Sequence, residues 1–428
     1  MINRINGPEI ANIDTIEHLL PEQWKLDNGI QVWGLNGGSQ ELVKIDFIFE
    51  AGTWYQPFNL VAGLTNAFMN QGSKKYSAQA IAEVFDSKGA YLNLSADQQF
   101  GSLTVFTLNK YLDEILEVAA DVIKNPVFPQ KELNAQISKK RQQFIIENNK
   151  VKVLAQKKFS QVVFGEAHPY ANTNSFPDYD KLKREHFVDF HQKYYTANNC
   201  RIIVAGLYTD EMKKSLNKHF GGTDWLADHE IKQLHFEFSP SNMPVNFIEK
   251  EDALQSAIRI GRLMPNRNHP DYYGLTILST VLGGYFGSRL MTNIREDKGY
   301  TYGIGSGIFS LKNAAFLSIS TEVGVEFCQP ALKEIYFEIE NLQNGPIGDD
   351  ELRLVKNYLL GETIRSFDGV FASSQSLRTL IESDLEYDHY DGFMEALKHI
   401  SASDLMSLAQ RYFNKIDLFE VVAGKAMQ

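Results

Sequence analysis

Two side chains with hydrogen-bond donors, Arg295 and Tyr302, lie at the end of the most distinctive block of this sequence, which begins at Leu282. They stand seven residues apart, on either side of a Lys298-Gly299 turn. A guanidinium offers paired donors and a phenol hydroxyl offers one. Taken singly, Arg295 would pair with a surface carboxylate and Tyr302 would be a half-buried strand aromatic. Their interpretation therefore depends on the rest of the chain.

Histidine spacing gives no sign of a metal site. The ten His are His18, His168, His186, His191, His219, His229, His235, His269, His389 and His399. No two of them are separated by the three or four residues that bring two rings to one face of a helix. The nearest pair, His186 and His191, is five residues apart. We therefore expect each His to be exposed and structural.

Composition and charge narrow the class of protein. The chain has 428 residues, 43% of them apolar, which is enough for two or more domain cores. Its formal net charge of −11 has no block of like charge, which argues against nucleic acid and membrane partners. Cys200 and Cys328 are expected to be buried thiols of a reducing compartment. The polar start, Met1–Asp14, lacks signal-peptide features, so we predict a cytoplasmic protein.

The chain repeats itself. Residues 190–195, which lead into the apolar run 203–206, match residues 408–413, which lead into 421–424, at an offset of 218. Residues 86–91 similarly resemble residues 296–301 at an offset of 210. Self-similarity at a long period indicates repeated structural units. Two halves of similar fold are therefore predicted.

Each half is predicted to be a sheet covered by helices. Strands are predicted at residues 43–51, 91–95, 101–108, 257–262, 301–309 and 315–321. Helices are predicted at residues 60–70, 110–124, 130–149, 272–282, 325–343 and 349–366. Strands followed by helices, twice over, predict an α+β fold in which helices cover antiparallel sheets. The predicted domains are residues 1–222 and 243–428, joined by a polar linker at 223–242 that would allow a hinge.

Several short stretches together resemble one known family. They are Ala51-Gly52, Gln71-Gly72-Ser73, His168-Pro169-Tyr170, Tyr194–Asn199, His269–Tyr273 and, most specifically, the block from Gly283 to Tyr302. On these landmarks the chain is similar, over nearly its whole length, to the inverted-motif zinc peptidases, which include insulin-degrading enzyme, pitrilysin and the mitochondrial processing peptidase. Its size fits their short two-domain form. The resemblance implies two homologous domains of the LuxS and processing-peptidase type.

The family's zinc motif is missing. In the family, His-x-x-Glu-His on the first helix supplies two zinc ligands and a general base. The matching segment carries Leu64 and Phe68 at the His positions and Ala67 at the Glu position. Neither an apolar side chain nor a methyl group can bind zinc or take a proton, and Glu147, near the family's third ligand, cannot make a site alone. We predict that this chain binds no cofactor and that zinc belongs to a partner.

The resemblance implies a role in substrate binding for Arg295 and Tyr302. In the family, the Tyr hydroxyl donates to the scissile carbonyl oxygen as charge develops, and the Arg holds the peptide backbone. Asn93, Ser95 and Ala96 lie on the strand that carries peptide in related enzymes. They are candidates for substrate binding, and their interpretation as ordinary sheet residues is equally good.

These features together match the non-zinc subunit of two-chain members of the family. We predict a heterodimeric zinc peptidase in which Arg295 and Tyr302 act in trans, beside the zinc site of a homologous subunit that cleaves extended peptides or small unfolded proteins. The chain is not expected to hydrolyse peptides alone, and the partner is either a different chain or a second copy. The alternative is a catalytically inactive member that acts as a scaffold or as a peptide-binding chamber.

Overall fold

A computed structural model describes residues 16–171, 173–227 and 231–426, and its strands form two sheets. The predicted features at Met1–Asp14 and at His229 lie outside the described residues. Within the described part, no helix is long and apolar enough to cross a membrane. The cytoplasmic location remains a prediction.

The first sheet has six strands in the order β1-β2-β6-β3-β5-β4. Its strands are β1 Glu22–Lys25, β2 Gln31–Asn36, β3 Leu42–Phe49, β4 Tyr91–Ala96, β5 Gly101–Leu108 and β6 Cys200–Gly206. The helices of this half are α1 Val61–Phe68, α2 Ala78–Ser87, α3 Leu112–Lys124, α4 Gln130–Asn148, α5 Val151–Phe164, α6 Arg184–Tyr194 and α7 Asp210–Phe220. The apolar stripe of α3 is buried as predicted, at positions such as Ile115 and Leu116.

The second sheet has five strands in the order β7-β11-β8-β10-β9. Its strands are β7 Val245–Glu249, β8 Gln255–Met264, β9 Thr301–Ser310, β10 Ala315–Gly324 and β11 Phe419–Gly424. The helices are α8 Tyr272–Ser279, α9 Cys328–Asn344, α10 Asp349–Arg365, α11 Gly369–Ser383, α12 Asp388–His399 and α13 Ala402–Tyr412. The order β7-β11-β8-β10-β9 corresponds, strand for strand, to the order β2-β6-β3-β5-β4 in the first sheet. The two halves therefore share one fold, and the predicted α+β class is confirmed.

The sheets are not wholly antiparallel, which corrects the prediction. β2 pairs with β6 in parallel, and β7 pairs with β11 in parallel. In each half the last strand arrives after a long helical connection, and such crossovers join strands that run in the same direction. The other strand pairs are antiparallel.

Two helices cross between the halves. α5, from the first half of the chain, packs on β8 and β11 of the second sheet, and the Phe159 ring lies 6.2 Å from that of Phe316. α11, from the second half, packs on β2 and β6 of the first sheet and buries Val370 and Leu377 there. Packing therefore crosses the predicted domain boundary in both directions, and the boundary itself remains a prediction.

The described part of the linker at 223–242 is attached to the first half. Trp225 is buried, and the Ser239 and Ser241 amides donate to carbonyl oxygens of α5, those of Phe164 and Val162. A linker held by backbone hydrogen bonds and a buried indole does not behave as a flexible spacer. The contacts therefore argue against the hinge that its polar composition suggested.

Candidate functional site

The segment that matches the family's zinc motif lies on α1 and faces the core of the first half. Leu64 and Phe68 are 6% and 2% exposed, and the Phe68 ring lies 5.8 Å from the Phe187 ring. Ala67 is half-buried between them. This helical face presents hydrocarbon where zinc would need nitrogen and oxygen ligands. The residues present do not fit a zinc ion.

Within residues 16–171, 173–227 and 231–426, no group of three or more His, Cys, Asp and Glu side chains is arranged to hold a metal ion. Glu147 is half-exposed and pairs with Lys150 at 2.6 Å. His168 and His191 are buried, which corrects the expectation that every His is exposed. Their surroundings explain this, since the His191 ring stacks on Tyr195 with Nε2 2.7 Å from the Ile123 carbonyl oxygen.

Tyr302 lies at an irregularity near the start of β9. The register of β9 on β10 shifts between Thr321 and Val323, so that Tyr302 and Gly303 of β9 face the single residue Glu322 of β10. A bulge of this kind changes the direction of a side chain. The Tyr302 side chain is 96% exposed, so its interpretation as a half-buried strand aromatic is wrong.

The Tyr302 side chain borders a cavity of about 320 Å³ that is also lined by two cations, Lys152 and Arg259. Arg259 projects from β8, where its Nη1 lies 3.3 Å from Ser318 Oγ. Burial lowers the pKa of Arg259, and the nearby Glu322 carboxylate opposes this shift. Sequence reasoning missed both cations. The signal for Arg259 was a charged residue between two isoleucines of a strand, Ile258 and Ile260.

Arg295 lies on a π-helical turn, Met291–Asp297, that follows the glycine-rich part of the block. Its guanidinium carbon is 4.5 Å from the centroid of the Phe286 ring, and its Nη1 is 3.8 Å from Glu296 Oε1. A surface pair at this distance is weak. Arg295 is not among the described residues that line the cavity beside Tyr302.

The other predicted binding residues lie on β4, one of the two edge strands of the first sheet. Asn93 and Ser95 are exposed and Ala96 is half-buried. Ser95 Oγ lies 2.9 Å from Ser102 Oγ, to which Arg378 of α11 donates at 3.2 Å. An edge strand leaves backbone donors and acceptors open on one side, where an extended peptide can add. The role of these residues in substrate binding remains a prediction.

Sequence comparison identifies the family to which this fold and site belong. The profile of the insulinase domain, peptidase family M16, matches residues 38–167, and that of the peptidase M16 inactive domain matches residues 181–359. The chain belongs to the M16 peptidase family. The M16 match in the first half includes α1, and the inactive-domain match includes both Arg295 and Tyr302.

Individual M16 relatives agree with this assignment. An uncharacterized zinc protease of Rickettsia felis is 23% identical over 403 residues, which cover 93% of this chain and 96% of the relative. A non-peptidase homolog, YmxG, of Helicobacter pylori is 25% identical over 309 residues, or 70% of each chain. This chain and the Rickettsia felis relative match over nearly their whole lengths, which fits the predicted short two-domain form.

Solved structures show the same fold. The peptidase M16 inactive domain from Pseudomonas fluorescens superposes with a TM-score of 0.85 at 23% identity, and covers 95% of this chain and 98% of its own. A protease from Helicobacter pylori superposes with a TM-score of 0.86 at 17% identity, with coverages of 95% and 100%. At these identities the similarity establishes the M16 fold, with both halves in place.

Proposed function

We propose that this M16 chain is the non-zinc subunit of a two-chain peptidase and that it contributes Tyr302 to the active site of a zinc-bearing homologue. The observation that carries the proposal is the bulge that leaves the Tyr302 side chain 96% exposed. No hydrogen bond ties its hydroxyl to another residue in the part of the chain that the structure describes. An exposed, unpaired phenol suits donation to an oxygen that belongs to another molecule.

In this role the Tyr302 hydroxyl donates a hydrogen bond to the carbonyl oxygen of the scissile peptide. The bond strengthens as negative charge develops on that oxygen, so the hydroxyl acts on the rate more than on binding. Thr301 fixes the start of β9, because its Oγ1 donates to the Glu322 carbonyl oxygen at 2.7 Å and accepts from the Gly303 amide at 3.1 Å. These bonds anchor the backbone on either side of Tyr302.

Arg295 is proposed to bind the peptide backbone. Its guanidinium stacks against Phe286, which leaves its edge free to donate to carbonyl oxygens. The weak contact with Glu296 can be exchanged for a substrate contact at little cost. Phe286 is itself 61% exposed, so the pair forms a surface that a partner subunit and its peptide can approach together.

Asn93, Ser95 and Ala96 are proposed to bind an extended peptide along β4. Strand addition uses backbone hydrogen bonds, so it selects for extended conformation more than for sequence. The exposed side chains of Asn93 and Ser95 lie on alternate residues, so they project from the same face of the sheet. There they can contact the side chains of a peptide strand that pairs with β4. Unfolded proteins and short peptides are therefore the expected substrates.

A purely non-catalytic role is the second candidate. The name non-peptidase homolog, given to the Helicobacter pylori relative, favours a scaffold or a peptide-binding chamber. Such a role would need the β4 edge and the partner surface, and would make no demand on the Tyr302 hydroxyl. Only the catalytic role requires the Tyr302 hydroxyl, so removing that hydroxyl distinguishes the two candidates.

The test is the substitution Tyr302→Phe, measured with a zinc-bearing M16 homologue from the same organism. Cleavage of a quenched fluorescent peptide is followed for each chain alone and for the mixture. We expect cleavage only in the mixture, and a fall in kcat of roughly 100- to 1000-fold on Tyr302→Phe with KM little changed. Tyr358→Phe, which removes the hydroxyl of another partly exposed tyrosine, serves as the matched control.

Three results would contradict the proposal. Full cleavage by this chain alone would show that it needs no partner. An unchanged kcat with Tyr302→Phe would show that the hydroxyl takes no part in the reaction. Association of the two chains without any gain in cleavage would favour the scaffold.

A further inference from the structure

A second cavity, of about 380 Å³, lies in the second half between α8, α10, α11 and α12. Its volume is within the range of small-molecule sites. The wall contains side chains from all four helices, among them Thr276, Thr363, Ser376 and His389. This cavity is separate from the one beside Tyr302, with which it shares no lining residue.

Arg267 is the cation of this cavity. It precedes α8, its Nε is buried, and Nε has no hydrogen-bond partner. In the described part of the chain no carboxylate lies within ion-pair distance of its guanidinium. Burial lowers the pKa of His389 to about 4, and the positive charge of Arg267 acts in the same direction. The Arg267 guanidinium therefore lines the cavity without a carboxylate partner, and an anionic ligand could supply one.

The acidic side chain in the wall does not neutralise Arg267. Glu362 is exposed and pairs with Arg365 at 2.9 Å. Asp388, which lies close enough to oppose the shift of the His389 pKa, is outside the wall. Neither carboxylate therefore pairs with Arg267, whose positive charge acts on His389.

The hydroxyl groups in the cavity wall determine which further groups of a ligand can bind there. Thr276 Oγ1 donates to the Tyr272 carbonyl oxygen at 2.9 Å, and Thr363 Oγ1 donates to that of Leu359 at 2.8 Å. Ser376 Oγ is used in the same way, in a bond of 2.7 Å. Because each proton is already engaged by a backbone carbonyl, these oxygens offer only lone pairs. They can accept hydrogen bonds from a ligand and cannot donate to one.

We propose that this cavity binds a small oxyanion that carries hydrogen-bond donors of its own. A phosphate or carboxylate group would be held by Arg267, and hydroxyl groups of the same molecule would donate to the Ser and Thr oxygens. Because α11 forms part of the wall and also packs on the first sheet, an occupied cavity would stabilise the contact between the halves.

Isothermal titration calorimetry with four probes tests the site. Glycerol 3-phosphate and glycerate carry the oxyanion with hydroxyl groups, and ethyl phosphate and propionate carry it without them. We expect saturable binding of one hydroxylated probe at a ratio of one to one, and weaker binding of its counterpart without hydroxyls. Which hydroxylated probe binds decides between phosphate and carboxylate.

Substitutions locate the binding. Arg267→Gln is expected to weaken binding by roughly tenfold or more, since it removes a charge-assisted hydrogen bond. Arg353→Gln removes the same charge from an exposed pair on α10 and should leave binding unchanged. Arg267→Lys keeps the charge, and should fold and bind with an intermediate affinity. Failure of both hydroxylated probes to bind the unmodified protein, or equal binding by Arg267→Gln, would overturn the site.

Discussion

The substitution Lys312→Met should weaken the contact between the two halves of this protein and lower its free energy of unfolding. Lys312 lies in the turn between β9 and β10, and its Nζ is 3.1 Å from Glu50 Oε1, just after β3 of the first sheet. It also lies 3.3 Å from Asp384. Arg201, at 3.3 Å, and the Tyr55 hydroxyl, at 3.0 Å, complete the surroundings of the Glu50 carboxylate.

The burial of this cluster sets the size of the effect. The Glu50 and Lys312 side chains are only 9% and 14% exposed, so their pairing is little screened by water. Removing one partner of a buried pair costs about 3–5 kcal/mol when the remaining charge is left alone. Arg201 and Tyr55 still contact Glu50 in the variant, and Met preserves most of the packed stem. We therefore expect a loss of about 2–3 kcal/mol in the free energy of unfolding.

The pH dependence gives an independent check. Burial raises the pKa of Glu50, but Lys312, Arg201 and Tyr55 more than offset this, and the pKa lies below its ordinary value of 4.5. The resulting stabilisation is complete above that ordinary value and is lost as pH falls through the folded-state pKa. Without Lys312 the pKa of Glu50 should rise, so the variant should lose less of its remaining stability in acid than the unmodified protein does.

Urea unfolding at pH 7 measures the effect. All four Trp precede residue 226, so tryptophan fluorescence reports on the first half and circular dichroism on both halves. Lys150→Met, which removes Lys150 from its exposed pair with Glu147, is the control and should cost less than about 0.5 kcal/mol. A loss for Lys312→Met no larger than the control would refute the reasoning, because the cluster would then contribute nothing measurable between the halves.

Two further predictions concern the core of the first half. Phe68→Ala should lower the free energy of unfolding by about 3–5 kcal/mol, because Phe68 is 2% exposed and packs on Phe187; a loss below 1 kcal/mol by urea unfolding would contradict this packing. Burial lowers the pKa of His191 to about 4, so the folded protein loses stability as pH falls below 6.5. In urea titrations His191→Gln should lose about 2 kcal/mol less than the unmodified protein between pH 7 and pH 5, and parallel curves would count against it.

The strands and helices that the sequence predicted are found close to their predicted bounds, because periodicity is a local property, but β1, β2, β7, α5, α11 and α12 were not predicted. The strand predicted at residues 101–108 is found at Gly101–Leu108, and the helix predicted at 130–149 is found at Gln130–Asn148. The internal repeat predicted two similar halves, and the strand orders of the two sheets confirm it. Pairing direction was not predicted correctly, since a strand's own alternation does not say which neighbour it joins or in which direction.

The same limit applies to packing between distant segments. The exchange of α5 and α11 between the halves brings together residues more than a hundred positions apart, such as Phe159 and Phe316. The burial of His168 and His191 also depends on aromatic residues far away in the sequence, Trp54 for His168 and Phe128 for His191. Lys152 and Arg259 were overlooked for the same reason, because only the folded chain brings them to the cavity beside Tyr302.

The sequence by itself determined that Leu64, Ala67 and Phe68 offer no zinc ligand and no general base, because that conclusion needs only the chemistry of the side chains. It also determined the family, through motifs that are contiguous in the chain. Only the tertiary structure decided that the Tyr302 side chain is exposed and that Arg267 has a buried donor without a partner. Exposure and pairing depend on strand register and on contacts between distant segments, which local residue types do not specify.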